Sequence, residues 1–178
     1  MPVSEEPDLP RQCRLHEAGH AIVAVDLGLT VRSVFCDGAE GACESELSVD
    51  SQNESRHWRE IHRKFPCLDT VEQIVGTDFG WLASVLGGIA GESLILGRPA
   101  QTLRRASDDL GNFYGFLSQL TRDLDVAQAN ALWLKTFIRA QEKAWDIVPA
   151  RKRDVEKIAD RLAKQTTLSG DEIHQLIS

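Results

Sequence analysis

At 178 residues the chain has the size of one domain and enough bulk to bury a core. Its 42% hydrophobic and 26% charged residues are the composition of an ordinary globular protein. A formal net charge of −7 speaks against a general nucleic-acid binder, which must neutralise phosphates with Lys and Arg.

Residues 1–8 are polar and proline-bearing and are expected to be a flexible end, leaving 9–178 as a single domain. From Leu9 the apolar residues Leu15, Ala18, Ile22 and Val23 fall on one helical face. The pattern continues to Leu27, where Gly28 stops the helix. Over 31–49, Val31, Ser33 and Phe35 alternate around Arg32 and Val34. A turn-like Asp37-Gly38 follows, and Glu44 to Leu47 returns, which predicts a small β-ribbon after the first helix.

Asp50 to Ser55 reads as a polar loop and HWREIHRKF as a short helix. Beyond Pro66 the chain is helical to its end. Asp69 and Glu72 have capping-box spacing, Gly97-Arg98-Pro99 breaks a long segment, and Pro149 kinks or restarts the helix that begins near Val126. Ser169 and Glu172 form a second capping box before GDEIHQLI. The expected fold class is mainly α.

The most apolar window, Trp81 to Gly97, is interrupted by Glu92 and rich in glycine, too short and broken to span a bilayer. No secretory leader is expected either. The four cysteines (Cys13, Cys36, Cys43, Cys67) lack CxxC spacing, so free thiols in a reducing cytoplasm are expected. Cys36 and Cys43 offer a staple across the ribbon or a metal site as the alternatives.

One stretch of the first helix carries chemistry. RLHEAGHAIVA (residues 14–24) contains His-Glu-x-x-His. Four residues on a helix bring His16 and His20 onto one face, so two imidazoles can meet one ion, and Glu17 stands beside them to reach a water. Alone the pattern is weakly specific, because an amphipathic helix can carry two histidines for no purpose. Gly19, costly in a helix interior by about 1 kcal/mol relative to Ala, makes sense where another backbone approaches closely. Ala83, Gly87 and Gly91 supply a matching small-residue ridge. His57, His62 and His174 read as exposed.

HEAGHAIVA, LGGIAGESLILG, ASDDL and LAKQTTLSGDEIHQLI, in that order, resemble successive blocks of the FtsH-type peptidase domain, the zinc protease half of membrane-anchored AAA proteases. The likeness runs from Gln12 to Ile177 and is poor over 31–80. It implies a helical bundle with a small ribbon, one Zn2+ per chain held by His16, His20 and a distant aspartate, and Glu17 as general base. The family's Ala-Ser-Asn-Asp block reads Ala106-Ser107-Asp108-Asp109 here, which places the third ligand on Asp109 with Asp108 as the fallback. Glu92 matches the first acid after the double glycine, and a carboxylate there can orient a ligand histidine.

There is no Gly-x-x-x-x-Gly-Lys-Ser/Thr loop, and FCDGAEGACES replaces the family's edge-strand sequence. The resemblance therefore implies a stand-alone cytoplasmic zinc metalloendopeptidase that hydrolyses peptide bonds with a metal-activated water. Its substrates would be unfolded or short polypeptides, its partner a separate ATPase or adaptor, and its assembly a homo-oligomer, with no nucleic acid or membrane involved. The alternative is an inactive peptidase-like binding or adaptor module with a structural metal.

Overall fold

A computed structural model of the chain describes residues 8–96 and 103–178. Its centre is α1 (Leu9–Asp26). Asp8 caps it by accepting a hydrogen bond from the Arg11 amide at 2.9 Å, and Gly28, at φ +75°, turns the chain out of it. Asp8 thus belongs to the helix start rather than to a loose end. Eleven residues of α1, from Gln12 to Ala24, are buried, and they lie all around the helix rather than on one stripe.

Burial all round requires neighbours on every side. The closest is α4 (Phe79–Leu96), and glycine makes that approach possible. A Cβ added to Gly19 would stand 2.2 Å from the carbonyl oxygen of Gly87 and 3.0 Å from the Gly91 Cα. The small-residue ridge predicted from the sequence is therefore a backbone-to-backbone contact. Phe113, Leu117 and Leu120 of α5 (Leu103–Thr121) and Leu132, Thr136, Ala140, Ala144, Ile147 and Val148 of α6 (Val126–Ala150) add to the buried core. Pro149 sits in the last turn of α6, and the chain restarts at Arg151 as α7 (Lys152–Leu162), which buries Val155, Ile158, Ala159 and Leu162. The Gly97-Arg98-Pro99 break lies outside the described residues. Among the described residues no single helix is long and apolar enough to cross a membrane.

The ribbon is present as β1 (Thr30–Cys36) and β2 (Gly41–Glu46), antiparallel, joined by a turn in which Gly38 has φ +97°. Its inward face differs from the predicted alternation. A register shift between Val31 and Ser33 makes Arg32 an extra residue, so the phase slips and Val31, Val34 and Cys36 are the buried positions. A third strand, β3 (Thr167–Ser169), pairs with β1 to give the order β2-β1-β3. It leads into α8 (Gly170–Ile177) through the predicted capping box: Ser169 Oγ accepts from the Glu172 amide at 3.3 Å, and Glu172 accepts from the Ser169 amide at 2.8 Å.

Two predicted boundaries move. The polar loop over Asp50 to Ser55 is the first half of α2 (Val49–Lys64), started by Ser48, whose hydroxyl accepts from the Ser51 amide. A helix so polar on nearly every face leaves no apolar period to read. The following α3 (Leu68–Thr77) begins at Cys67, with Thr70 Oγ1 accepting from the Cys67 amide at 3.4 Å, so Asp69 lies inside the first turn and is not its cap.

Candidate metal centre

His16 and His20 project from α1 toward α5, one turn apart, with ring centroids 4.8 Å apart and planes at 81°. Asp109 comes from the first half of α5. Its Oδ2 lies 3.0 Å from His16 Nε2 and its Oδ1 3.5 Å from His20 Nε2. One ligand atom from each of the three residues falls within 4.8 Å of the others. A tetrahedral ion with bonds of about 2.0–2.1 Å separates its ligands by about 3.3 Å, so the cluster has the dimensions of a small divalent cation site.

The surroundings leave the Nε2 atoms for that role. His20 Nδ1 donates to the Ser84 carbonyl at 2.7 Å, which places its proton on Nδ1 and a lone pair on Nε2. His16 Nδ1 faces Glu92 Oε2 at 3.5 Å, and both side chains are almost fully buried, at 2% and 1% exposure. Glu92 is therefore an interior group and not a surface glutamate. His16 Nδ1 and Asp109 Oδ2 are buried without a well-formed hydrogen bond. Buried polar atoms are ordinarily satisfied by well-aligned hydrogen bonds, and these two instead meet their neighbours through charge and proximity, an arrangement that fits a donor set made for an ion. Behind the imidazoles α4 presents Gly88, where a Cβ would stand 2.4 Å from His20 Nε2 and 2.6 Å from His16 Nε2.

Charge in the pocket is strongly coupled. Burial pulls the His16 imidazole down, yet hydrogen bonds to Asp109 and Glu92 and the charges of Asp109 and Glu17 outweigh it, and the pKa rises to about 9. His20 is raised for similar reasons: burial is opposed chiefly by Asp109. Burial works against ionising Asp109 too, but the His20 charge and hydrogen bonds from both histidines hold its carboxyl far below the usual range. Two imidazoles and a carboxylate that attract a proton this strongly also attract a cation, with the proton as its competitor.

Glu17 lies on the same helix at 3% exposure, under the start of β2, where a Cβ on Gly41 would come within 2.5 Å of its Oε1. The cleft in front of the cluster has a volume of about 310 Å³, and Glu17, Gly41, Cys43, Trp81, Asp108 and Asp109 are among the residues that line it. Asp108 is exposed at its rim, and Asp109 is the aspartate that meets the histidines.

All four cysteines are thiols. Cys36 contacts Cys13 of α1 and not Cys43 across the ribbon. Cys43 lines the cleft, where burial and the nearby Glu17 and Glu44 push its thiol up. His57 and His174 are exposed, whereas His62 is half-buried with Nδ1 2.9 Å from Thr70 Oγ1.

Sequence reasoning did not find Gly41, Gly88 or Ser84. Gly88 belongs to a double glycine that the sequence displays, but which of the two faces α1 and which faces the imidazoles depends on helix rotation. A comparison with protein-family models and a search of curated proteins give no match to this chain.

Proposed function

We propose that this chain is a zinc-dependent metallopeptidase of the FtsH type. The convergence of His16, His20 and Asp109 beside Glu17 in one open cleft is the observation that carries the reading. Two imidazoles and one carboxylate are a donor set that suits zinc and leaves a position open. When held by His16, His20 and Asp109, zinc would supply a Lewis acid that lowers the pKa of water and polarises a carbonyl. Glu17 takes a proton from the attacking water and delivers it to the departing amine. Its burial beneath Gly41 keeps bulk solvent from it, and a purely structural metal would have no use for a carboxylate at this position.

The ribbon supports a polypeptide substrate. The Cys36 amide donates to the Thr166 carbonyl, away from β2, so its partner Gly41 turns its own N–H and C=O outward. By alternation Cys43 does the same. Strand β2 is the edge of the sheet and lines the cleft, so an extended chain can pair with Gly41 and Cys43 as an added strand. The altered sequence of this stretch keeps that edge open, because a strand is recognised through its backbone.

The test is cleavage of a permanently unfolded protein by the zinc-loaded chain. Glu17→Gln should reduce turnover to background while binding about one zinc per chain. Undiminished cleavage by that variant would overturn the mechanism.

A further inference from the structure

Beside the cleft a second groove opens between α2, α4 and α5, with a volume of about 410 Å³. Trp81 lines both. The apolar walls are Leu47, Trp81 and Phe116, with the two rings 5.4 Å apart. Asp78 lines the groove at 3% exposure. Its Oδ2 accepts from Arg59 Nη2 at 2.5 Å, while its Oδ1 is buried without a hydrogen-bond partner. Arg59 also donates to Ser55 Oγ and lies over the Phe116 ring at 5.2 Å, so it is fixed in place.

We propose that this groove receives one side chain of the bound polypeptide, an aromatic ring ending in a neutral hydrogen-bond donor, that is, tyrosine or tryptophan. Three observations select that class. The Trp81 and Phe116 faces suit a flat ring. The orphaned Asp78 oxygen requires a donor, because a buried acceptor left unpaired is costly. The charge balance rejects lysine and arginine: Arg59 already neutralises Asp78, and among the described residues Arg56 at the rim has no acidic partner.

The inference rests on the peptidase reading for the identity of the ligand as a substrate chain. Its placement follows from α4. Gly88 faces the imidazoles and Trp81 lies seven residues earlier, about 10 Å along the helix axis. An extended chain covers that in about three residues. Leu47 just past β2 marks the groove at the far end of the edge strand from Gly41, so a substrate lying along β2 passes over it. The groove thus reads a residue at a fixed, short distance from the scissile bond.

The experiment is sequencing, by mass spectrometry, of the peptides that the zinc-loaded chain releases from an unfolded protein. Tyrosine and tryptophan should be enriched about tenfold over phenylalanine at one position within three or four residues of the cut. In Asp78→Ala that preference should fall to parity with phenylalanine while cleavage continues. Phe116→Ala, which keeps both Arg59 and Asp78, should lose selection for aromatic residues altogether. Efficient cleavage with a flat profile, or with lysine and arginine enriched, would overturn the groove and leave the peptidase reading intact.

Absence of any cleavage would sink the peptidase reading instead. The groove is then decided by NMR titration with N-acetyl-tyrosinamide against N-acetyl-phenylalaninamide. Tighter binding of the tyrosine amide, lost in Phe116→Ala, supports it; equal or no binding of the two refutes it.

Discussion

His16 and Asp109 hold a proton between them when no cation does, and the sign of each shift defines the window. A histidine raised to about 9 contributes stability that is fully present below its ordinary value of 6.5 and is lost as pH rises through 9. A depressed aspartate contributes above its ordinary value and loses that contribution as pH falls. The metal-free pair is therefore strongest at mildly acidic pH, between the ordinary values of the two groups, and weakens steadily as pH climbs from 6.5 to about 9.

On the proposed reading, zinc would have to expel that proton to bind. At about pH 7.5, calorimetric titration in two buffers of different ionisation heat should show release of about one proton or more per zinc, and affinity should climb with pH toward 9. A binding heat that ignores the buffer would rule out His16 as a ligand. Gly88→Ala tests the same spot by volume, since its methyl group would press on both Nε2 atoms. Zinc affinity should drop at least tenfold, measured against a chromophoric chelator, while the thermal unfolding of the metal-free protein shifts little.

At this scale the histidines and Glu17 were legible because one helical turn joins them. Asp109 was reachable only through resemblance, for no local period connects it to His16. The burial of Glu92 was illegible, because a lone glutamate carries no sign of what packs over it.

Helices with a strong reason to exist were legible as elements, and those without one were not. The first helix announced itself by apolar period and terminal glycine and ends where Gly28 puts it, whereas Asp8, read as part of a loose end, caps its start. The second had no apolar stripe and was half missed. The ribbon was visible, but the extra residue at Arg32 inverted its inward face, and β3 was invisible because three residues gain their strand identity only by pairing with β1.

The contact between α1 and α4 is where element-scale energetics concentrate. A methyl group on Gly19 meets backbone, which cannot rotate away. Gly19→Ala should therefore cost about 2 kcal/mol or more in urea denaturation, overpacking outweighing the better helix propensity of alanine. Gly115→Ala on α5, where an added Cβ meets nothing within 4 Å, is the control and should stabilise by up to about 1 kcal/mol. Similar values for both would mean that the two helices are not packed on their glycines.

At the scale of the whole molecule, the two halves of the candidate centre have unequal support. The histidines stand on a deeply buried helix, flanked by Leu15, Ala18, Ala21 and Ile22, all at 0–1% exposure. Asp109 stands on a helix whose surrounding residues Ser107, Asp108, Gly111 and Asn112 are exposed. Among the described residues, the first half of α5 meets the core through Asp109 and the half-buried Leu110, while its second half is anchored by Phe113, Leu117 and Leu120.

On the proposed reading, removing zinc would break a bond across that junction and leave only the proton-mediated pair of His16 and Asp109. Stability is not uniform across a fold, and segments with few buried apolar contacts open first. Hydrogen exchange followed by mass spectrometry should thus show faster exchange over residues 107–112 when a chelator is added, with α1 and the glycine contact to α4 unchanged. Global unfolding should fall as well, by about 2.7 kcal/mol where free zinc had stood at a hundred times its Kd. A uniform rise across α1 and α5 would mean that the metal holds the core and not merely the junction, which would favour a structural ion over a catalytic one.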